Sequence, residues 1–248
     1  MKNQLLMLSM PNNGSDWLVK TITNSQDGCK YFREFFNPGT NPKYSDALGE
    51  EFGCEYITFY KNILSFDHSS CEQVYSKTWK KENYNFAKEN YSFLKAEFYI
   101  QNFNCFGLVR KIENSLPANR RTEVTGWYLS IYESLLHNKM SLPKLIQVKI
   151  DHFASKKTRI DEKAVFAFCI YQELLIATCN QYKIPILQYE NLFDCDREEL
   201  NEILVKLKTG MNCNYWADEI EKTRKKTVHD FHILDCNWVV ATYCSLKI

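Results

Sequence analysis

The feature that most constrains this fold is a set of three short apolar runs, each of which stops abruptly and hands over to residues at helical spacing. LLML at 5–8 is followed by the turn residues Pro11, Asn12, Asn13 and Gly14, and then by Trp17, Leu18 and Ile22 on one helical stripe. NCFGLVR at 104–110 and ILQY at 186–189 are the second and third runs. Continuous rather than alternating apolar character suits strands buried on both faces. Such strands, alternating with helices, predict an α/β fold: a parallel sheet flanked by helices on both faces. In sheets of that kind, ligands bind at the carboxyl ends of the strands.

The helical segments fall between these runs. Val124, Tyr128, Ile131 and Leu135 set a helical period over 120–136, and 142–153 reads as another helix. The longest candidate covers 160–182, where Val165, Phe168, Cys169, Gln172, Leu175, Ile176 and Cys179 recur every three or four residues before Pro185. Asp196 opens a further helix that stops at Gly210. Mixed helical spacing (Phe86, Phe93, Leu94, Phe98) marks 84–99, and 54–59 is β-prone. KYFREFFNPGTNPKY at 30–44, with Asn37-Pro38-Gly39 and Asn41-Pro42, reads as a surface loop.

With 45% hydrophobic residues over 248 positions, the chain supports one domain spanning 1–248. Lys and Arg number 31 against 30 Asp and Glu, so no global charge favours nucleic acid or an anionic membrane as partner, and any anion site is local. The first apolar run is too brief for a membrane span and has no small-residue cleavage site, which gives the expectation of a cytoplasmic protein. Its ten cysteines are then expected to be reduced, with Cys105, Cys169 and Cys179 packing as small hydrophobes. No C-x-x-C pair occurs, so no metal is expected.

The turn after the first strand carries the chemistry. The amides of Gly14, Ser15 and Asp16 open a helix, where unpaired N–H donors and the backbone dipole favour an anion.

In order along the chain, strand-PNNGSDWL-helix, strand-LVR, and a long helix followed by strand-QYENL resemble the sulfotransferase family, which has a P-loop NTPase-like sheet. In that family a loop of the form Pro-Lys/Arg-Ser-Gly-Ser/Thr-Thr-Trp-Leu holds the 5′-phosphosulfate of PAPS (3′-phosphoadenosine 5′-phosphosulfate). A later Val-x-Arg-Asn/Asp-Pro contacts the 3′-phosphate, and Tyr-Glu-Asp-Leu closes the sheet. The resemblance covers 5–224 and implies that Asn12, Asn13, Gly14, Ser15, Asp16 and Trp17 face the 5′ end. It implies that Arg110, with Arg224, Lys225 and Lys226 after the last clear helix, grips the 3′-phosphate, Arg120 and Arg121 being further candidates.

Several positions depart from the family pattern. Asn12 replaces the loop cation, and Asp16 stands where the family has a hydroxyl, its carboxylate repelling a phosphosulfate unless it turns aside. Lys111-Ile112 follow Arg110, and Ala118 replaces the expected serine, with Ser115 nearby but out of register.

By the same resemblance, Lys88 stabilises the leaving nucleotide, PAP. Glu34, before Phe35 and Phe36, matches the catalytic carboxylate of the carbohydrate-acting branch, and burial against aromatics suits it to take a proton. Glu89 and His68 are reserve bases, and Asn90 occupies the position of the cytosolic branch's histidine. The expected reaction is in-line sulfuryl transfer to a hydroxyl or amine of a small-molecule or carbohydrate acceptor, without a metal. Tyr31, Phe32, Phe35, Phe36 and Tyr44 are candidates to line the acceptor pocket. Two alternatives stand beside it: a relative of the same fold that binds without catalysis, and an atypical P-loop nucleotide kinase. The kinase is disfavoured because G-x-x-x-x-G-K-S/T is absent.

Overall fold

The computed structural model describes residues 4–10, 14–24, 30–33, 86–90, 96–115, 121–206, 213–224 and 236–244. Its strands are β1 (Leu5–Leu8), β2 (Tyr31–Arg33), β3 (Phe86–Glu89), β4 (Asn104–Val109) and β5 (Ile186–Gln188). Its helices are α1 (Ser15–Asn24), α2 (Ala96–Asn102), α3 (Ile112–Ser115), α4 (Arg121–His137), α5 (Lys144–Ala154), α6 (Ile160–Gln181), α7 (Asn191–Asp194), α8 (Arg197–Lys206), α9 (Cys213–Arg224) and α10 (Asn237–Tyr243).

The five strands form one parallel sheet in the order β2-β3-β1-β4-β5, with β1 at the centre. All four residues of β1 are buried, as expected of a strand covered on both faces. Alternate side chains feed two separate cores. Leu5, Met7, Phe86, Phe106, Leu108 and Leu187 pack with Leu18 and Ile22 of α1, Leu200 of α8 and Trp216 of α9. Leu6, Leu8, Ala87 and Val109 pack on the opposite face with Phe98 of α2, Tyr128 of α4, Phe168 of α6 and Val239 of α10.

That division follows from strand order. From β1 the chain moves one way to β2, carrying α1; from β3 to β4 and from β4 to β5 it moves the other way, carrying α2, α4 and α6. Crossovers of a single hand place opposite movements on opposite faces. At neighbouring β1 and β4 the outgoing chains therefore diverge, the arrangement that in open α/β sheets leaves a crevice at the carboxyl ends of the strands.

Helix α6 is buried on nearly all sides, which explains its continuous apolar character. It packs along α4 and α10 and crosses β4, where Gly107 makes room: a Cβ at that position would lie 2.7 Å from Cys179 Sγ. Burial pushes the Cys179 thiol up to about 12, so it packs as a small hydrophobe, as does buried Cys169. Cys105, Cys169, Cys179, Cys195, Cys236 and Cys244 are thiols outside any disulfide. Among the described residues no helix is long and apolar enough to cross a membrane.

The structure corrects three sequence expectations. Residues 86–89 form strand β3 and not a helix; the helical spacing read across 84–99 belongs to α2, which begins at Ala96. Charged Lys88 and Glu89, both buried, hid the strand by interrupting its apolar pattern. Tyr31–Arg33 form an edge strand and not a surface loop. Arg224 ends α9 and is followed by another helix, α10, so it does not lie beyond the last helix. The 54–59 segment lies outside the described residues.

Candidate functional site

The carboxyl ends of β1, β3, β4 and β5 bring together most of the sequence-predicted residues that the structure describes. Gly14 has φ +88, a conformation that L side chains rarely adopt. Its carbonyl accepts the Leu18 N–H at 3.1 Å, which closes the first turn of α1. Ser15 is buried at the start of that helix. The turn is held from the far side as well, because a Cβ on Gly14 would run into the Tyr189 ring. Gly14 is thus required both by backbone sign and by the close approach of an aromatic ring.

Tyr189 directly follows β5, and its N–H donates to the Val109 carbonyl at 2.9 Å, extending the sheet ladder by one bond. Its ring meets Trp17 edge-on at 5.6 Å, and Phe193 lies 5.0 Å from Tyr189 and 5.4 Å from Trp17. These three aromatics join α1, β5 and α7.

Arg110 follows β4, and its guanidinium carbon sits 4.3 Å from the centre of the Tyr189 ring. Its backbone N–H donates to Gln172 Oε1 at 3.5 Å, and the neighbouring Lys111 N–H donates to Glu190 Oε1 at 3.1 Å. Glu190 Oε1 is 4.0 Å from Arg110 Nε, a loose ion pair. Burial lowers the Arg110 pKa, against the raising influence of Tyr189 and Glu190, while burial raises that of Tyr189, against Arg110. Arg110 Nε is buried and has no hydrogen-bond partner among the described residues. A buried guanidinium N–H in that state favours an added acceptor.

On the other flank of β1, Lys88 stands level with Met7 in the sheet register. Its side chain is 3% exposed and its ammonium donates to Asp16 Oδ1 at 2.8 Å, whereas Asp16 is 60% exposed. Asp16 thus turns toward the neighbouring strand. Lys88 is a buried strand residue. Glu89 and Asn90 are buried beside it: Ser9 Oγ donates to Asn90 Oδ1 at 2.9 Å, the Ser9 N–H donates to the Glu89 carbonyl at 2.9 Å, and the Asn90 N–H donates to Glu89 Oε1 at 3.1 Å.

The structure therefore brings Gly14, Ser15, Asp16, Trp17, Lys88 and Arg110 to one edge of the sheet. Asn12, Asn13, Glu34, Phe35, Phe36, Tyr44, His68, Ala118, Arg120, Lys225 and Lys226 lie outside the described residues, and for Arg121 and Arg224 the description extends to helix membership alone. Sequence reasoning missed Gln172 and Glu190 as supports of Arg110. The signal for Glu190 is its place in the QYEN run directly after the third strand; Gln172 stands in the sequence only as part of a helical stripe. Among the described residues no group of three or more His, Cys, Asp or Glu side chains is placed to hold a metal ion.

Fold and site together define a parallel α/β protein with a cation on each flank of its central strand-turn-helix, Lys88 buried and Arg110 half-buried. No protein-family model matches the chain, and no curated protein matches it.

Proposed function

We propose that this crevice binds PAPS and that the protein transfers its sulfuryl group to a hydroxyl or amine. One observation carries the reading: Tyr189 ties the Gly14 turn to Arg110, packing against the glycine while the arginine lies over its ring. The two ends of a doubly phosphorylated adenosine thereby have partners fixed relative to each other. The strand order supports it too, since the turn leaves the central strand at the point where outgoing chains diverge.

The residues present fit such a ligand. Gly14 and Ser15 supply amide donors at the positive end of the α1 dipole, and Arg110 supplies a guanidinium with a buried N–H that has no acceptor among the described residues. When bound, PAPS supplies an activated sulfuryl group whose bond to the nucleotide phosphate breaks as the acceptor oxygen or nitrogen bonds to sulfur. Lys88 lies on the strand next to the turn, where an ammonium stabilises the negative charge developing on the departing phosphate. Glu34 takes the acceptor proton, and Trp17 braces the turn through Tyr189 and Phe193.

A second reading is favoured by the Lys88–Asp16 ion pair, which occupies the cation assigned to the leaving group. In it the protein binds the nucleotide and does not catalyse. Calorimetry with PAP, followed by a sulfuryl-transfer assay over alcohol and amine acceptors, tests both. Micromolar PAP binding with turnover supports the transferase, and PAP binding without turnover on any acceptor supports the second reading. ATP binding that depends on magnesium, with none for PAP, replaces both with a kinase. Within the transferase reading, Glu34→Gln lowers turnover and leaves PAP affinity intact; undiminished turnover removes Glu34 as the base.

A further inference from the structure

We propose that Asp16 is a built-in counter-anion: its carboxylate holds the place at Lys88 that an anionic group of the ligand takes, and binding releases Lys88 from it. The nucleotide reading enters only in the identity of the incoming anion.

The two partners of this pair are unequally placed. Lys88 lies on β3, between β2 and β1, with its side chain 3% exposed. An ammonium so buried requires an anion nearby, because losing the partner of a buried charge is strongly destabilising. Asp16 is 60% exposed, so its carboxylate rehydrates readily when it leaves. The anion is therefore the exchangeable member of the pair, and the cation is fixed by the sheet.

Location makes the exchange specific. Asp16 sits in the first turn of α1, where the helix dipole attracts any negative group and where the Gly14 turn presents its amides. A phosphate or sulfate oxygen entering that turn meets the same dipole and the same ammonium that now hold the carboxylate. The two anions repel each other at that distance, so one displaces the other. A carboxylate in this position lowers the affinity of the site for every anion while keeping the buried lysine paired in the free protein. If Asp16 served only the fold, its removal would destabilise the protein without making it respond more strongly to anions.

Asp16→Asn tests this with inorganic pyrophosphate as the probe, read as the thermal unfolding midpoint of the full chain in low-salt buffer. The variant is expected to melt below wild type without added anion, and pyrophosphate is expected to raise its midpoint more than that of wild type. Apparent pyrophosphate affinity should tighten by about tenfold, a Coulomb gain discounted for the exposure of Asp16. An equal or smaller rise in the variant overturns the proposal. If Asp16→Asn does not fold in buffer alone, pyrophosphate is expected to restore folding, and failure to do so overturns it.

Lys88→Met provides an independent variant, expected to lose the pyrophosphate-dependent rise of wild type; retention of that rise overturns the proposal. PAP calorimetry separates the proposal from the nucleotide reading. A larger pyrophosphate response in Asp16→Asn, with no PAP binding by either protein, keeps the counter-anion and removes the nucleotide. Equal PAP affinity in both proteins, with equal pyrophosphate responses, does the reverse.

Discussion

Arg110 lies over the ring of Tyr189 with its guanidinium carbon 4.3 Å from the ring centre, and the same ring blocks any side chain at Gly14. One aromatic side chain from the end of β5 thus fixes the spacing between the turn after β1 and the cation after β4. Trp17 and Phe193 hold that ring by contacts of 5.6 and 5.0 Å, so it does not swing away. Positioning in this crevice is done by packed aromatics, and charge is added at its margins by Lys88 and Arg110.

Arg110→Ala is expected to weaken PAP binding by about 1.5–3 kcal/mol, the range for hydrogen bonds to charged groups. Arg110→Lys restores little of this, because an ammonium has neither the planar face that stacks on Tyr189 nor the fork that grips a phosphate. Isothermal titration with PAP checks both variants. Unchanged affinity in Arg110→Ala removes the residue from the site.

Gly14→Ala is expected to destabilise the protein by more than about 1–2 kcal/mol, the cost of a left-handed backbone for an L side chain. The excess comes from the Tyr189 ring, which meets the new methyl and is itself held by its neighbours. Combining Gly14→Ala with Tyr189→Ala separates the two contributions in urea melts, since removing the ring relieves the collision and leaves the backbone strain. Strict additivity of the two substitutions contradicts the contact.

How far the sequence foretold this arrangement depends on where charge is buried. β1, β4 and β5 were legible because Leu5–Leu8, Phe106, Leu108, Val109 and Leu187 are apolar and enclosed, and α6 was legible as a long apolar helix, although its burial runs round nearly all sides and not along one stripe. β3 was not, because FAKE places a lysine and a glutamate in the interior, where local hydrophobicity gives no sign of burial. Asp16 approaches Lys88 there from another element, more than seventy positions away in the chain. Arg110 was found by its place at the end of an apolar run, whereas its support from Gln172 spans more than sixty positions and has no local signature.

Glu162 ties the start of α6 to α10. One carboxylate oxygen accepts the Arg159 N–H and the other the Trp238 indole N–H, each at 2.7 Å. The Arg159 N–H, followed by Trp238, holds this carboxyl below the ordinary 4.5 of a glutamate. A depressed folded pKa gives stability that is present above the unfolded pKa and is lost as pH falls through the folded one. Glu162→Gln is therefore expected to cost about 1.5–3 kcal/mol at neutral pH. The gap between the two thermal midpoints should stay constant down to the ordinary glutamate range and shrink below it, with Trp238 fluorescence following α10. A gap that does not change between neutral and acidic pH excludes the carboxylate's role.

Lys183 offers the opposite kind of test, a substitution that should stabilise. It stands just past α6 with φ 54, while the Ile184 N–H donates to the Cys179 carbonyl at 2.8 Å and the Lys183 N–H to the Asn180 carbonyl at 3.3 Å. This is the six-to-one and five-to-two pairing that ends a helix on a left-handed residue, a position that glycine fills without steric cost. The turn directs the chain through Pro185 into β5, and so toward Tyr189. Replacing Lys183 with glycine removes the Cβ penalty of the left-handed backbone, roughly 1–2 kcal/mol. Against this stands the entropy that glycine adds to the unfolded chain, about 0.4–1 kcal/mol. A net gain of about 0.5–1 kcal/mol remains by difference, read as a higher urea midpoint with an unchanged slope. A lower midpoint contradicts the left-handed cap and with it the path by which α6 delivers Tyr189 to the crevice.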